Sequence, residues 1–315
     1  MVIMSSNPPL TSGTVIAGKW RGNRYIVQRL LGRGANGTVY LVQRQGRRDM
    51  YALKIGYDAL DLQSEINVLT SLQSYRKRLE HRARQESPLS SYLLEADDFK
   101  GGGDVPFYVM RYVEGQPLHR FLAKRGPAWL GLIGLRLLDR LRVLHACGFV
   151  FGDLKPENVM VSDYGEVELI DFGGASPMGR SVKQFTEWHD RGFWNAGSRT
   201  GDESYDLFAF AVLCLRLLDE AGLKSAATQL PQTRGTEDLI KLAKAVPDRK
   251  LASWLCFALQ GKFAGSREAR EAWRVHVYTP KAVKPDRPQT PIWLRGAFVA
   301  SICLLGFTLY WVIRS

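Results

Sequence analysis

Two short runs hold the residues best suited to chemistry: Gly152-Asp153-Leu154-Lys155-Pro156-Glu157-Asn158 and, shortly after, Ile170-Asp171-Phe172-Gly173. Phosphoryl transfer needs a carboxylate for the incoming hydroxyl, a cation for charge building on the transferred group, and side-chain oxygens for a divalent metal ion. Asp153 suits the first role and Lys155 the second. Asn158 and Asp171 suit the third, with Mg2+ (or Mn2+) as the metal. Polar turns alone supply such residues singly, but not both motifs in this order.

Those residues need a nucleotide-binding scaffold, and the upstream sequence has its parts. Residues 25–31 read as a strand, followed by the turn Gly32-Arg33-Gly34-Ala35-Asn36-Gly37 and a second strand through Thr38-Val39-Tyr40. Glycines at 32, 34 and 37 let backbone N–H groups approach phosphates, although a Gly-rich hairpin without a ligand is equally common. The neighbouring strand Tyr51-Ala52-Leu53-Lys54 decides between them, because a lysine on a buried surface needs an anion, and ATP provides one. Leu62, Ile66, Leu69 and Leu72 recur at helical spacing, which puts Glu65 on a helix facing Lys54. A Lys54–Glu65 ion pair is predicted. The interval between them is short for that role, so Glu80 and Glu86 stay open as alternatives.

Over about residues 25–277 these motifs resemble the eukaryotic-like, or Hanks-type, serine/threonine protein kinases. The resemblance implies an α+β, bilobal protein-kinase fold, with a small β-rich N-lobe and a mostly helical C-lobe. It also implies transfer of the γ-phosphoryl group of ATP to Ser/Thr hydroxyls of proteins. Met110 would be the gatekeeper beside the adenine, with Tyr112 and Val113 offering it backbone groups and Val39 and Ala52 packing on its faces. Asp206 would start the central C-lobe helix. Lys155 opposes a tyrosine kinase, and Lys155 with Asp171-Phe172-Gly173 opposes an aminoglycoside-type kinase. A membrane-tethered pseudokinase acting as a binding module is the alternative.

Departures from the family pattern carry information too. Phe151-Gly152 replaces the usual His-Arg before the catalytic aspartate. Phe151 can still stack on Phe172, but the arginine that captures a phosphorylated activation loop is gone, so activity independent of such capture is predicted. Phe193-Trp194-Asn195 stands in place of Ala-Pro-Glu, and Gly261-Lys262-Phe263 in place of Asp-Arg-Phe, so that glutamate and arginine are lost together. Trp188, Phe193 and Trp194 are expected to hold the segment by packing instead. Ser176, Ser181 and Thr186 are candidate autophosphorylation sites. Gly18-Lys19-Trp20, Phe151-Gly152-Asp153 and the run at 185–192 also resemble small membrane-anchored members of the family from endospore-forming bacteria. That likeness implies a link to sporulation or a DNA-linked stress response.

Residues 296–313 form an uncharged run that, as a helix, rises about 27 Å, close to the hydrocarbon thickness of a bilayer. Trp293, Tyr310 and Trp311 suit interfacial belts, and Lys281, Lys284, Arg287 and Arg295 precede the run while Arg314 follows it. The expectation is a single-pass cell-membrane protein with one C-terminal transmembrane helix and a cytoplasmic kinase domain. The resulting division is an extension at 1–23 and a kinase domain at 24–277, with N-lobe about 24–111 and C-lobe about 112–277. A Pro-rich basic linker at 278–292 and the span at 293–313 follow.

The N-terminus lacks the pattern of a signal peptide. Cys147, Cys214, Cys256 and Cys303 form no close pair, so neither disulfide nor zinc is expected. The net charge is +12, with basic clusters at Arg76-Lys77-Arg78, Arg82 and Arg84, and again from Arg267, Arg270 and Arg274 towards the span. Anionic lipid, DNA and a merely solvated surface are the three readings of this charge. Self-association on the membrane would favour autophosphorylation.

Overall fold

The structure is a computed structural model that describes residues 9–83, 93–100, 104–183 and 187–278, with Ser301 and Arg314 alone beyond them. The chain divides after Tyr278. Among the described residues no helix is long and apolar enough to cross a membrane. The span at 293–313 and the linker before it lie outside the described residues, apart from Tyr278 and Ser301.

The N-lobe is one antiparallel sheet built from β1 (Val15–Ala17), β2 (Arg24–Gly34), β3 (Gly37–Arg44), β4 (Met50–Gly56), β5 (Leu93–Lys100) and β6 (Asp104–Arg111). Their spatial order is β1-β2-β3-β4-β6-β5. Alternating burial of Tyr25 and Val27 on β2, with Val42, Leu53, Phe107 and Val109, makes its apolar face. Strand β1 belongs to the stretch read from sequence as an extension. It pairs antiparallel with β2, Val15 opposite Ile26 and Ala17 opposite Arg24, and the residues just after it are tied down where the backbone N–H groups of Trp20 and Arg21 donate to Asp97 at 2.9 and 2.8 Å.

Between β4 and β5 runs α1 (Ala59–Ala83), longer at both ends than the periodicity at 62–72 suggests. The Asp58 carboxylate accepts from the N–H groups of Leu60 and Asp61 and starts the helix. Leu62, Val68, Leu69 and Leu72 are buried in the same apolar core as the C-lobe helices, so the lobes share that core.

The C-lobe contains α2 (Leu118–Arg125), α3 (Leu130–Ala146), α4 (Glu203–Leu218), α5 (Glu220–Ala227), α6 (Thr236–Ala245), α7 (Arg249–Leu259) and α8 (Ser266–His276). Tyr205 to Leu215 are all buried, so α4 is apolar on every side and forms the centre of the lobe. Gly134 of α3 allows the Trp273 ring of α8 to sit on the backbone, since a Cβ there would lie 2.3 Å from it. Trp273 then meets Trp254 and Phe210 edge to face at centroid distances of 4.9 and 5.1 Å. Short strand pairs set the catalytic loops. They are β7 (Gln116–Pro117) with β9 (Val159–Val161), β9 with β10 (Val167–Leu169), and β8 (Phe149–Val150) with β11 (Ser176–Pro177).

Candidate active site

The loop between β8 and β9 carries Asp153 and is fixed from below by α4. Asp206, fully buried, accepts the backbone N–H of Phe151 at 2.7 Å and of Gly152 at 3.0 Å. His145, at the end of α3, binds Asp206 through Nε2 at 2.8 Å, and its Nδ1 lies 3.7 Å from Glu203. Burial disfavours the imidazolium, but the carboxylates of Asp206 and Glu203 outweigh it, and the His145 pKa rises to about 9. The neighbouring His145 imidazole, helped by hydrogen bonds from the Ser266 N–H and hydroxyl, holds Glu203 down at about 2.

Above this base the Asp153 carboxylate is almost fully buried and receives Lys155 Nζ at 2.6 Å. Asn158 Nδ2 donates to the Asp153 carbonyl at 2.9 Å and to its carboxylate at 3.2 Å. That use of the amide nitrogen leaves the amide oxygen of Asn158 as the atom that could hold a metal ion. Asp171 follows β10 in the left-handed region at φ 61°. Its Oδ1 accepts from Lys54 Nζ at 2.8 Å. The same nitrogen donates to Glu65 at 2.7 Å, so Glu65 is the glutamate that meets Lys54, while Glu86 lies outside the described residues.

Burial opposes charge on all three groups. Around Lys54 the two carboxylates win, raising its pKa and keeping it an ammonium. For Asp171, burial is outweighed by Lys54 and the carboxyl is held below its usual range. Glu65 is the most deeply buried, and burial pushes its carboxyl up against the pull of Lys54. Tyr108 on β6, which the sequence reading did not single out, sets its hydroxyl against Glu65.

The nucleotide cradle can be tested glycine by glycine. A Cβ at Gly37 would fall 2.3 Å from the Ile55 carbonyl oxygen, so this glycine is needed for β3 to approach β4. Cβ atoms at Gly32 and Gly34 would meet nothing within 4 Å. Those two glycines border open space, where backbone N–H groups can approach a phosphate-bearing ligand. Ala52 and Met110 face each other across β4 and β6, Val39 pairs with Lys54 across β3 and β4, and Tyr112 and Val113 follow β6, half-buried. Asn158 and Asp171 are two side chains that could hold a divalent metal ion of the kind that takes few protein ligands and completes its shell with phosphate and water. The donor set therefore fits both ATP and its metal ion.

The activation segment is held by contacts that the sequence reading only half anticipated. Phe151 meets Phe172 edge to face at 5.5 Å. Trp194 is fully buried, donates Nε1 to the Trp188 carbonyl at 2.7 Å and stands on edge to Phe193. Lys262 lies 5.5 Å from the Phe257 ring centre.

The unforeseen part is polar. Arg191 reaches both oxygens of Asp202 at 3.0 and 2.9 Å and the carbonyls of Ser198 and Thr200. Asp190 accepts from Arg199 at 2.6 Å and from the Tyr205 hydroxyl at 3.1 Å. The adjacent Asp190-Arg191 pair in an aromatic run was the available signal. His189 is fully buried with no hydrogen-bond partner for either ring nitrogen among the described residues, and burial lowers its pKa to about 4.

Of the candidate phosphoacceptors, Ser176 is corrected by the structure. It is only 6% exposed and its hydroxyl donates to the Gly174 carbonyl, so it is out of reach of an incoming active site. Ser181 is exposed, and Thr186 lies outside the described residues. The basic cluster on α8 is also partly spent. Arg270 binds Asp139 at 3.1 and 3.2 Å, and Arg274 binds Glu271.

Residues 25–255 match the protein kinase domain family. The chain is similar to serine/threonine-protein kinase YabT of Bacillus subtilis, 34% identical over 83% of this chain and 74% of YabT. It is also similar to serine/threonine-protein kinase F of Synechocystis, 30% identical over 62% of this chain, of whose length it spans only 43%. Among solved structures, the PknI kinase domain of Mycobacterium tuberculosis matches 86% of this chain and 100% of its own, at 25% identity and a TM-score of 0.56. Vaccinia related kinase 3, at 18% identity and a TM-score of 0.60 over 87% of this chain and 92% of its own, shares the fold. With this much of its length matched, and with the two catalytic motifs side by side in a bilobal structure, the chain belongs to the Hanks-type protein kinases and is a serine/threonine protein kinase.

Proposed function

We propose that this kinase phosphorylates serine and threonine hydroxyls of cytoplasmic proteins, and of its own copies, with Asp153 as the proton acceptor. The observation that carries the reading is the convergence of Lys155 and Asn158 on the Asp153 carboxylate, with Asp171 held by Lys54. Metal-bound ATP supplies the phosphoryl group and the charge neutralisation of its oxygens. Asp153 orients the acceptor hydroxyl and takes its proton, which makes the oxygen a competent nucleophile. Lys155 sits beside Asp153 to counter negative charge as it builds. Lys54, fixed by Glu65 and Asp171, presents an ammonium to the phosphate side of the cradle. Asn158 and Asp171 would hold the metal ion, and Gly32, Gly34 and Gly37 let the backbone close over the phosphates.

The same reading places residues 293–313 in the cell membrane as a single C-terminal span, with the kinase domain in the cytoplasm. Its support is the uncharged run and the excess of Lys and Arg before it. The basic surface is proposed to meet anionic lipid or DNA and so raise the local concentration of kinase. A link to sporulation comes from the sequence likeness alone.

The deciding experiment is autophosphorylation with Mg2+-ATP beside an Asp153→Asn control, with and without DNA and with and without anionic vesicles, at low and high salt. Phosphoserine or phosphothreonine absent from the control is the expected result, and stimulation by one additive identifies the regulatory surface. ATP binding without incorporation under any condition would replace this reading with a pseudokinase. Fractionation of cells expressing the chain with and without residues 293–315 tests the anchor: both forms remaining in the supernatant would remove it.

A further inference from the structure

The usual receiver for an activation-loop phosphate is absent, and its place is filled. At Gly152, with φ +75°, a Cβ would fall 2.5 Å from the Gly174 carbonyl oxygen and 2.7 Å from Val182 Cγ1. Val182 is itself buried against Val150 and Tyr205, and its N–H donates to the Arg199 carbonyl at 2.9 Å. Residue 182 is thus anchored to the C-lobe on both its backbone and its side chain.

The next residue reaches the other lobe. Lys183 Nζ donates to Asp61 Oδ1 at 2.7 Å. Asp61 is in the first turn of α1, one turn before Glu65, so the two carboxylates lie on the same side of that helix. Asp61 is also fixed by its own backbone N–H on Asp58. A continuous path therefore runs from the anchored Val182 through Lys183 and Asp61 to α1, and from Glu65 of α1 to Lys54.

We propose that Lys183 and Asp61 are a positioning pair that ties the activation segment to α1 and holds Glu65 on Lys54 without any phosphate. The signs suit this purpose: a fixed cation on the segment meets a fixed anion on the helix, where a phosphorylated segment would need a cation on the helix. Phosphorylation is then not required to assemble the site. The inference rests on the reading of Glu65 as the residue that orients Lys54. Both side chains are partly exposed, 60% for Lys183 and 40% for Asp61, so the effect is modest and salt-sensitive.

The test uses the full chain with Lys183→Glu, Asp61→Lys and the double exchange, beside Asp153→Asn and Glu65→Gln. Each single reversal is expected to lower kcat/KM for ATP roughly two- to fivefold at low salt. The double exchange is expected to restore it, and 0.5 M NaCl to shrink the differences. Hydrogen exchange over residues 60–66 reads the same coupling without turnover: faster in each single variant and slowed again in the exchange. Singles that match the unmodified chain in both measurements, or a double exchange that stays with the singles, would overturn the proposal. Glu65→Gln with unchanged turnover would instead remove the reading on which it rests.

Discussion

Arg191 grips Asp202 with two parallel hydrogen bonds, joining the activation segment to the residue that caps α4. This pair joins segment to C-lobe where the sequence has lost its Glu–Arg partners at 195 and 262. The arginine now belongs to the segment and the carboxylate to the helix cap. Arg191 is 8% exposed, and truncating it would take the guanidinium from two carbonyls and leave the Asp202 carboxylate with only its capping bond from the Tyr205 N–H. Arg191→Ala is expected to cost about 2–4 kcal/mol of stability, with a Tm lowered by several degrees and reduced turnover. Arg191→Lys should recover only part, because an ammonium cannot reproduce the two-pronged geometry. Thermal melts of the three proteins check this.

Asp153→Asn is expected to lower phosphoryl transfer by roughly 10²-fold or more, and Lys54→Met to do likewise, while circular dichroism stays that of the folded chain. Glu65→Gln keeps a hydrogen bond to Lys54 but loses the charge, so a smaller drop of about tenfold, or about 1.4 kcal/mol of barrier, is expected. Initial rates at saturating and limiting ATP separate the three.

Restoring the family's arginine at Gly152 should fail. A side chain there meets Gly174 and Val182 at a positive φ, so both Gly152→Ala and Gly152→Arg are expected to destabilise by about 1–3 kcal/mol. Denaturant midpoints are the measurement, and an arginine variant as stable as the parent would contradict the steric account.

Two histidines set opposite limbs of a stability profile. His145 has its pKa raised from 6.5 to about 9, so its stabilisation is complete below about pH 6.5 and disappears as pH rises through 9. His189 has its pKa lowered from 6.5 to about 4. The unfolded chain therefore binds a proton there first, and stability is lost as pH falls from 6.5 towards 4. Each contributes about 3 kcal/mol at most. A Tm profile is expected to peak near pH 6.5, with His145→Gln flattening the alkaline limb and His189→Leu the acid limb.

The sequence made the catalytic residues legible because each belongs to a motif in which residue type and spacing are dictated by chemistry. Lys54 meets Glu65 and Asp171, Asn158 meets Asp153, and Phe151 meets Phe172 as its aromatic character suggested. Contacts that depend on loop path were not legible. Arg191 reaches Asp202 only because the intervening residues double back to pair Ser181 with Thr200. Strand β1 escaped notice for another reason: with three residues it has almost no period to detect, and its place is set by pairing with β2 and by Asp97, far along the chain, binding the residues that follow it. Ser176 looked available in sequence because nothing local reveals that β11 pairs with β8 and buries it.

The seating of Trp273 on Gly134 has a bearing on biogenesis. Ribosomes deliver α3, α4 and α7 before α8, so Phe210 and Trp254 emerge while the indole that completes their cluster is still to be made. Until then the nascent C-lobe presents an aromatic surface to its surroundings, the kind that recruits chaperones or drives aggregation. Release of the finished lobe waits on its last described helix, and premature termination ahead of Trp273 would yield a chain for proteolytic clearance in place of a weakened enzyme.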